Sequence, residues 1–186
     1  LMAQTDVQQT EGKKTLYVEK FDTPDGVSSE WVDALRKSVI SGITVLERVH
    51  LLDAEKEGSS ASTGANYIMQ GSATSLSFSE SKGTDGKTNY ECKFSYTLKV
   101  LDPKTGVTAF AENYSHGGTF DFISGQTQED AAKDGLRYVR KDVRALMNKV
   151  FKLQGVVEKV ALAEDGKAEQ VVISLGKAQG VSAKSV

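Results

Sequence analysis

Between Asn89 and Asp102 the chain reads NYECKFSYTLKVLD, and apolar and polar side chains alternate through it. Tyr90, Cys92, Phe94, Tyr96, Leu98 and Val100 hold one set of positions; Glu91, Lys93, Ser95, Thr97 and Lys99 hold the other. A period of two sends successive side chains to opposite faces, so this is a strand with one dry and one wet side. Such a strand needs neighbours and a layer over its dry face. The flanks supply both turns: Asp85-Gly86 before it and DPKTG, residues 102–106, after it. Beyond them lie ANYIMQGSATSLSFSES, residues 65–81, and VTAFAENYSH, residues 107–116. Residues 65–116 therefore predict a three-stranded antiparallel meander whose first strand is interrupted at Gly71.

Upstream, TLYVEKF (residues 15–21) has strand composition, and DTPDG (22–26) is a turn. A helix follows. Ser28 or Ser29 can cap it, Glu30 and Asp33 suit its first turn, and Val32, Leu35, Val39 and Ile43 form one apolar stripe. Gly42 reads as its C-terminal stop. ITVLER (43–48) then reads as a second strand, giving a βαβ unit with a parallel pair. VHLLDAEKEG (49–58) is expected to be a short helix and SSASTG (59–64) a loop. Downstream, a glycine-rich loop (117–126) leads to Thr127, which can cap a long helix over residues 128–152. Its inner stripe is Ala132, Leu136, Val139, Val143, Met147 and Val150, with Arg137, Lys141, Arg144 and Lys152 on the other side. Past Gly155, residues 156–176 look like two strands joined at Asp165-Gly166. The expected organisation is a flexible segment over 1–14, an α/β domain over 15–152 and a β-rich segment over 153–186. The fold class is α/β: a mixed sheet with a βαβ start and an antiparallel meander, flanked by helices, plus a small β-rich C-terminal extension.

Composition narrows the function. A length of 186 residues suits one domain with a real core. The net charge of −2 argues against a dedicated nucleic-acid binder, and no apolar run is long enough to span a bilayer as a helix. Cys92 is the one cysteine, which rules out an internal disulfide and paired zinc thiolates; in its alternating segment it reads as a buried, unreactive thiol. Leu1, Met2 and Ala3 read either as the end of a cleaved secretory signal, with Gln4 as the first mature residue, or as a vector-derived remnant.

Candidate chemistry is sparse. GTDGKT (83–88) looks like the end of a phosphate-binding loop, but Ser81 stands where that loop needs glycine. The stretch also joins two strands and lacks a helix N-terminus to offer free amides. No Gly-x-Ser-x-Gly elbow occurs. His116, beside Gly117 and Gly118, is the best catalytic candidate, and it reads more simply as a polar side chain at a strand end. His50 has no ligand partner four residues on, so no metal site is expected. Glu47 and Arg48 close the segment read as the second strand, where open α/β sheets bind ligands; an ion-paired structural role is the simpler reading. The basic face carrying Arg137, Lys141 and Arg144 can meet phosphates or acidic headgroups, though Glu129, Asp130, Asp134 and Asp142 dilute it. Asn113 opens a glycosylation sequon that matters only in a eukaryotic secretory pathway. No cofactor is implied.

Four segments in order, TLYVEKF, TVLERVHLLDAE, GANYIMQGSATSLSF and YTLKVLDPKTGVTAFAENYS, resemble one family of bacterial envelope proteins. It takes in the curli secretion lipoprotein CsgG, the penicillin-binding-protein activator LpoB and the TolB N-terminal domain. The family's "vvER" strand end, "GADYil.Gs" and "vD.ktGev" are similar to the segments 45–48, 64–72 and 100–107. The resemblance covers residues 15–150 and makes Glu47, Arg48, Gly64, Gly71, Asp102 and Gly106 a fold signature with no catalytic role. The loop at 79–88 is short and polar, unlike the pore-forming hairpins of CsgG. No cysteine precedes Cys92, so a lipid anchor of the family's kind is expected either upstream of Leu1 or not at all. The tail from Val171 is similar to the opening of a β-rich module of the flagellar protein FlgT, with Ala183 and Lys184 departing from its pattern. The resemblance implies a non-enzymatic envelope protein, periplasmic or held at the outer membrane, acting on an envelope protein partner or on itself. Sheet edges and the face carrying Arg137, Lys141 and Arg144 are the expected surfaces. A periplasmic small-molecule or glycan-binding domain using the glycine-rich loop is the alternative.

Overall fold

The structure, a computed structural model, describes residues 12–153, 155 and 157–173. Residues 1–11 of the expected flexible segment and residues 174–186 of the tail compared with the flagellar module lie outside the described residues. The strands are β1 (Lys14–Val18), β2 (Val49–Asp53), β3 (Tyr67–Lys82), β4 (Thr88–Leu101), β5 (Thr108–His116) and the short β6 (Ser124–Gly125). They form one mixed sheet in the order β2-β1-β3-β4-β5, with β6 pairing β4. β1 is parallel to both β2 and β3; β3, β4 and β5 are antiparallel. Helices α1 (Ser29–Leu46), α2 (Ala54–Glu57), α3 (Gln128–Gly135) and α4 (Val139–Val150) complete the layer, and β7 (Val157–Leu162) with β8 (Ala168–Ile173) forms a separate two-stranded sheet. The α/β class, the βαβ start, the meander and the two-stranded extension all follow the expectation.

The alternation in β4 sets the core. Cys92, Phe94, Tyr96, Leu98 and Val100 are buried, with Leu16, Val18, Met69 and Ala73 from β1 and β3 beside them. Against this face lie Val32, Leu35, Val39 and Ile43 of α1 and Val139, Val143, Leu146 and Met147 of α4. Each such side chain contributes about 1.5–3 kcal/mol by leaving water. Trp31 ties the two helical arms together: it packs edge-on to Phe94 at 5.3 Å and its indole N–H donates to the Ala132 carbonyl at 3.3 Å. On the opposite face of the sheet Thr74 and Ser75 bond Ser95, and Thr97 bonds Asn113, in a strip of hydroxyls.

Four local expectations are corrected. The helix does not stop at Gly42: it runs to Leu46, and Glu47 caps it in the left-handed region at φ 52°. The physical reason is tertiary. A Cβ on Gly42 would lie 3.1 Å from Val143, so this glycine lets α1 and α4 approach closely instead of ending α1. The second strand is consequently Val49–Asp53, the segment expected to be helical, and Glu47 and Arg48 mark a helix-to-strand junction. β3 passes straight through Gly71, whose missing side chain admits the Phe21 ring (a Cβ would be 2.4 Å away); the irregularity falls instead between Ala73 and Ser75. Finally, the long C-terminal helix is divided. Gly135, pressed against Phe94, ends α3, and a 3₁₀ turn at Leu136–Tyr138 precedes α4.

Arg36, Asp53 and Asp142 are the charged residues buried among the described residues. Arg36 of α1 is 2% exposed. Its Nε donates to the Glu19 carbonyl at 2.8 Å, and its Nη2 donates to the Val18 carbonyl at 3.0 Å and to Asp53 Oδ1 at 2.5 Å. Glu55 adds a looser ion pair at 3.4 Å. Burial alone would raise the Asp53 pKa, but Arg36 and the Glu55 amide hold it below the usual carboxylate value. Removing one partner strands a buried charge. Arg36→Met is therefore expected to cost about 3–5 kcal/mol in urea unfolding. The double variant Arg36→Met/Asp53→Leu should cost less than the sum of the two single changes. Strict additivity would show that the pair is not coupled.

Candidate functional site

His116 ends β5 with both ring nitrogens engaged. Nδ1 lies 2.8 Å from Asp121 Oδ2, and Nε2 lies 2.6 Å from Asp142 Oδ2. The same Asp142 oxygen accepts from the Tyr96 hydroxyl at 2.6 Å. The ring stacks on Tyr138 at 5.2 Å and tilts against Phe94 at 5.2 Å. Strand β4, strand β5, the loop after it and α4 thus converge on one imidazole. Neither nitrogen points to a free space where a general base could act, and the two carboxylates sit across the ring from each other. Burial lowers the His116 pKa, but the hydrogen bonds and charges of Asp142 and Asp121 outweigh it and raise the value above normal. At Asp121 burial works upward and is outweighed by His116 and the Gly118 amide, so that carboxyl is held low. Tyr96 and Tyr114 are both pushed upward, chiefly by burial. The Tyr114 hydroxyl is buried without a hydrogen-bond partner among the described residues.

The glycine-rich loop is drawn onto this cluster. Gly117 takes φ 98°, and a Cβ there would meet the Cys92 carbonyl at 2.1 Å. The Gly118 amide donates to Asp121 Oδ1 at 2.7 Å, so it closes the loop on itself. Phe120 and Phe122 are left outside, 103% and 53% exposed. Cys92 is buried and its thiol is pushed up to about 11, first by burial and then by Asp134, which keeps it protonated and inert.

The other strand-end crevice, at the carboxyl ends of β1 and β2, is filled by Arg36 and its partners. Glu47 is exposed, and Arg48 reaches the Phe151 carbonyl at 3.4 Å. Gly64 ends a 3₁₀ turn, and Asp102 with Gly106 (φ 70°) closes the β4–β5 turn by a 2.8 Å amide-to-carbonyl bond. The expected basic surface is only partly assembled. Lys141 and Arg144 line a groove of about 270 Å³ with Gly42, Val45, Leu46 and Arg140. Arg137 is directed elsewhere: it donates to the Phe122 carbonyl at 3.0 Å and the Tyr138 hydroxyl at 3.1 Å, and pairs with Asp134 at 3.2 Å. Arg140 is the residue sequence reading missed, although its spacing of four from Arg144 places the two on one helix face.

The sheet has two edges. β2 is short and runs into α2. β5 is nine residues long, and on its free side no backbone hydrogen bond is made along Thr108–His116 among the described residues. It carries neither proline nor lysine, and its one carboxylate, Glu112, is paired to Lys149 at 3.3 Å. No helix among the described residues is long and apolar enough to cross a membrane.

The His116 cluster has a pH signature. A raised histidine pKa means stability that is full below the unfolded value of about 6.5 and is lost as pH rises through the folded value. A depressed Asp121 pKa means stability present above about 3.9 and lost as pH falls through the folded value. Melting temperature should therefore peak in the mildly acidic range and fall above about pH 6.5. In His116→Gln the alkaline decline should flatten; a wild-type-shaped profile in the variant would remove the cluster as its source.

No family model matches the chain, and no curated protein matches it. Solved structures do share its fold. The hypothetical protein CT253 from Chlamydia trachomatis is 11% identical with a TM-score of 0.50, over 74% of this chain and 98% of its own. Protein XCC0632 from Xanthomonas campestris, described as family-model DUF330, is 10% identical with a TM-score of 0.50, over 75% and 84%. Lipoprotein GNA1162 from Neisseria meningitidis is 11% identical with a TM-score of 0.41, over 74% and 97%. At these identities the likeness is one of fold alone, carried by CT253 and XCC0632.

Proposed function

We propose that this chain is a non-enzymatic cell-envelope protein, acting in the periplasm or at the outer membrane as a protein–protein interaction or assembly module. The observation that carries the reading is the free edge of β5. Exposed strand edges are normally blunted by proline, lysine, bulges or a covering element, because their unpaired amides and carbonyls recruit another strand. β5 pairs β4 along one side, lacks both proline and lysine, and is irregular only near its start, where Ala109 falls between the pairings of Thr108 and Phe110. Its outward side chains Ala109, Ala111, Asn113 and Ser115 are small or polar and exposed. A partner strand, from another envelope protein or from a second copy, could add there through main-chain bonds. The resemblance to the CsgG, LpoB and TolB N-terminal group supports the envelope setting. The internal use of both His116 nitrogens and of the Gly118 amide supports the non-enzymatic part.

The test is blockade of the edge. Ala109→Lys/Ser115→Lys puts charge on the strand without placing it opposite Lys99. The wild-type domain should capture a defined envelope protein from detergent extract, or sediment as an oligomer, and the variant should lose that association by about tenfold or more. Capture and sedimentation identical in both proteins would end the edge-pairing reading.

A further inference from the structure

His116 is held by two carboxylates, and the number of protons on its ring decides how the loop after it is held. Nδ1 lies 2.8 Å from Asp121 Oδ2 and Nε2 lies 2.6 Å from Asp142 Oδ2. An ionised carboxylate only accepts hydrogen bonds, and a neutral imidazole has a single N–H. Both contacts are hydrogen bonds when the ring carries two protons. When it carries one, a bare nitrogen lone pair faces a carboxylate oxygen. A carboxyl is a poor home for the second proton. Burial would raise Asp121, but His116 and the Gly118 amide hold it low. The Asp142 oxygen facing Nε2 already accepts from the Tyr96 hydroxyl at 2.6 Å.

The two carboxylates are unequally placed. The Asp142 side chain is 11% exposed and sits on helix α4; the Asp121 side chain is 24% exposed and sits on a loop. That loop has a firm half and a loose half. From Phe122 onward it is anchored: Arg137 donates to the Phe122 carbonyl at 3.0 Å, Ile123 is buried, its carbonyl accepts from the Cys92 amide at 3.0 Å, and β6 pairs β4. Between Gly117 and Asp121 the side chain that reaches the rest of the fold is Asp121, through His116. The Gly118 amide bonds only within the segment, to Asp121 Oδ1 at 2.7 Å. Gly117 and Gly118 at its start leave the backbone free to swing.

We propose that His116 is a pH-operated latch on the segment Gly117–Asp121. With two protons the ring clamps Asp121 and Asp142 together and holds the segment closed. With one proton it keeps the N–H on Nε2 for Asp142, the deeper carboxylate, and Asp121 turns to water and takes the segment with it. Phe120, which is 103% exposed, is thus presented in one position below the transition and is loose above it. The other ionisable groups around the ring leave its protons alone. Tyr96 on β4 donates to Asp142, Tyr114 on β5 stacks on Tyr96 at 5.1 Å, and burial first pushes both phenols up, so both stay neutral. Tyr138 stacks on the ring with the Arg137 guanidinium 4.9 Å from its own centroid, and that guanidinium pairs with Asp134 at 3.2 Å. Glu112, further back on β5, pairs with Lys149 at 3.3 Å. Cys92, against which Gly117 lies, stays a thiol, its pKa raised first by burial.

The experiment is nuclear magnetic resonance on the full chain, labelled with nitrogen-15, from about pH 5 to about pH 9. Imidazole nitrogen shifts report which ring nitrogen loses its proton. Amide exchange, corrected for its intrinsic pH dependence, reports the segment. Nδ1 should be the nitrogen that is bared. Protection of the Gly118 amide should fall by about tenfold or more with the same midpoint, while the amide of Leu98, in the middle of β4, keeps its protection. Asp121→Asn supplies an independent check. Its side-chain N–H can donate to a neutral Nδ1 while its oxygen still accepts from the Gly118 amide, so the segment should stay closed across the whole range. Four results would each overturn the latch: a proton lost from Nε2, Gly118 protection that persists through the ring's titration, a ring that gives up its proton only as β4 unfolds, or an Asp121→Asn segment that opens at the wild-type pH. None of them bears on capture at the β5 edge, so the latch and the edge-pairing reading fail separately.

Discussion

The fold turns on a guanidinium placed where apolar packing would be expected. In a βαβ unit the crossover helix lies across the two strands it connects, and the carboxyl ends of those strands leave a crevice that open α/β sheets often use for ligands. Arg36 fills that crevice from within the helix. It donates to the carbonyls of Val18 and Glu19 and neutralises Asp53 at the end of β2. Asp53 in turn accepts from the Glu55 amide and so starts α2. One side chain therefore fixes where β1 stops, where β2 stops and how α1 lies over both. It also explains why the parallel half of the sheet offers no strand-end site: the position is occupied by structure.

The antiparallel half carries the surfaces. All long helices sit on one face, so the far edge of the meander is left to β5. Gly42 has a double effect. By admitting Val143 it brings α1 and α4 together, and by allowing α1 to continue it carries Val45 and Leu46 into the lining of the groove. A helix ending at Gly42 would have left Arg140, Lys141 and Arg144 on a flat, solvated face.

Much of the framework could be read from the chain. The six apolar positions of β4 and the stripe Val32, Leu35, Val39, Ile43 carry their periods plainly, and Asp85-Gly86, DPKTG and Asp165-Gly166 mark turns that form. What failed was the segment from Ile43 to Asp53. Ile43, Thr44 and Val45 are β-branched and follow a glycine, so local propensity favours a strand; packing against α4 overrides it. Once α1 is extended, Val49, Leu51 and Asp53 share one face and β2 follows. The His116 cluster could not be read at all. Asp142 is 26 residues away on a helix, and Tyr96 lies on another strand. Their meeting is a product of register: Phe94 opposite His116 and Tyr96 opposite Tyr114. Of the basic residues, helical period identified Lys141 and Arg144 but could not foresee that Arg137 falls in a 3₁₀ turn and bonds back to its own loop.

The strand order has a consequence for assembly in time. β1 is the first made of the described strands, yet both of its neighbours come later, and the partner on its second side begins only at Tyr67. The meander, by contrast, closes through two tight local turns. Non-local parallel pairings pay loop-closure entropy before they return any contact, so they form late. A chain emerging from its N-terminus thus keeps its first strand unpaired until the ribbon behind it exists. Late hydrogen-exchange protection of the Leu16 and Tyr17 amides would be the visible trace. Such a chain keeps β1 open on one side until β3 has been made.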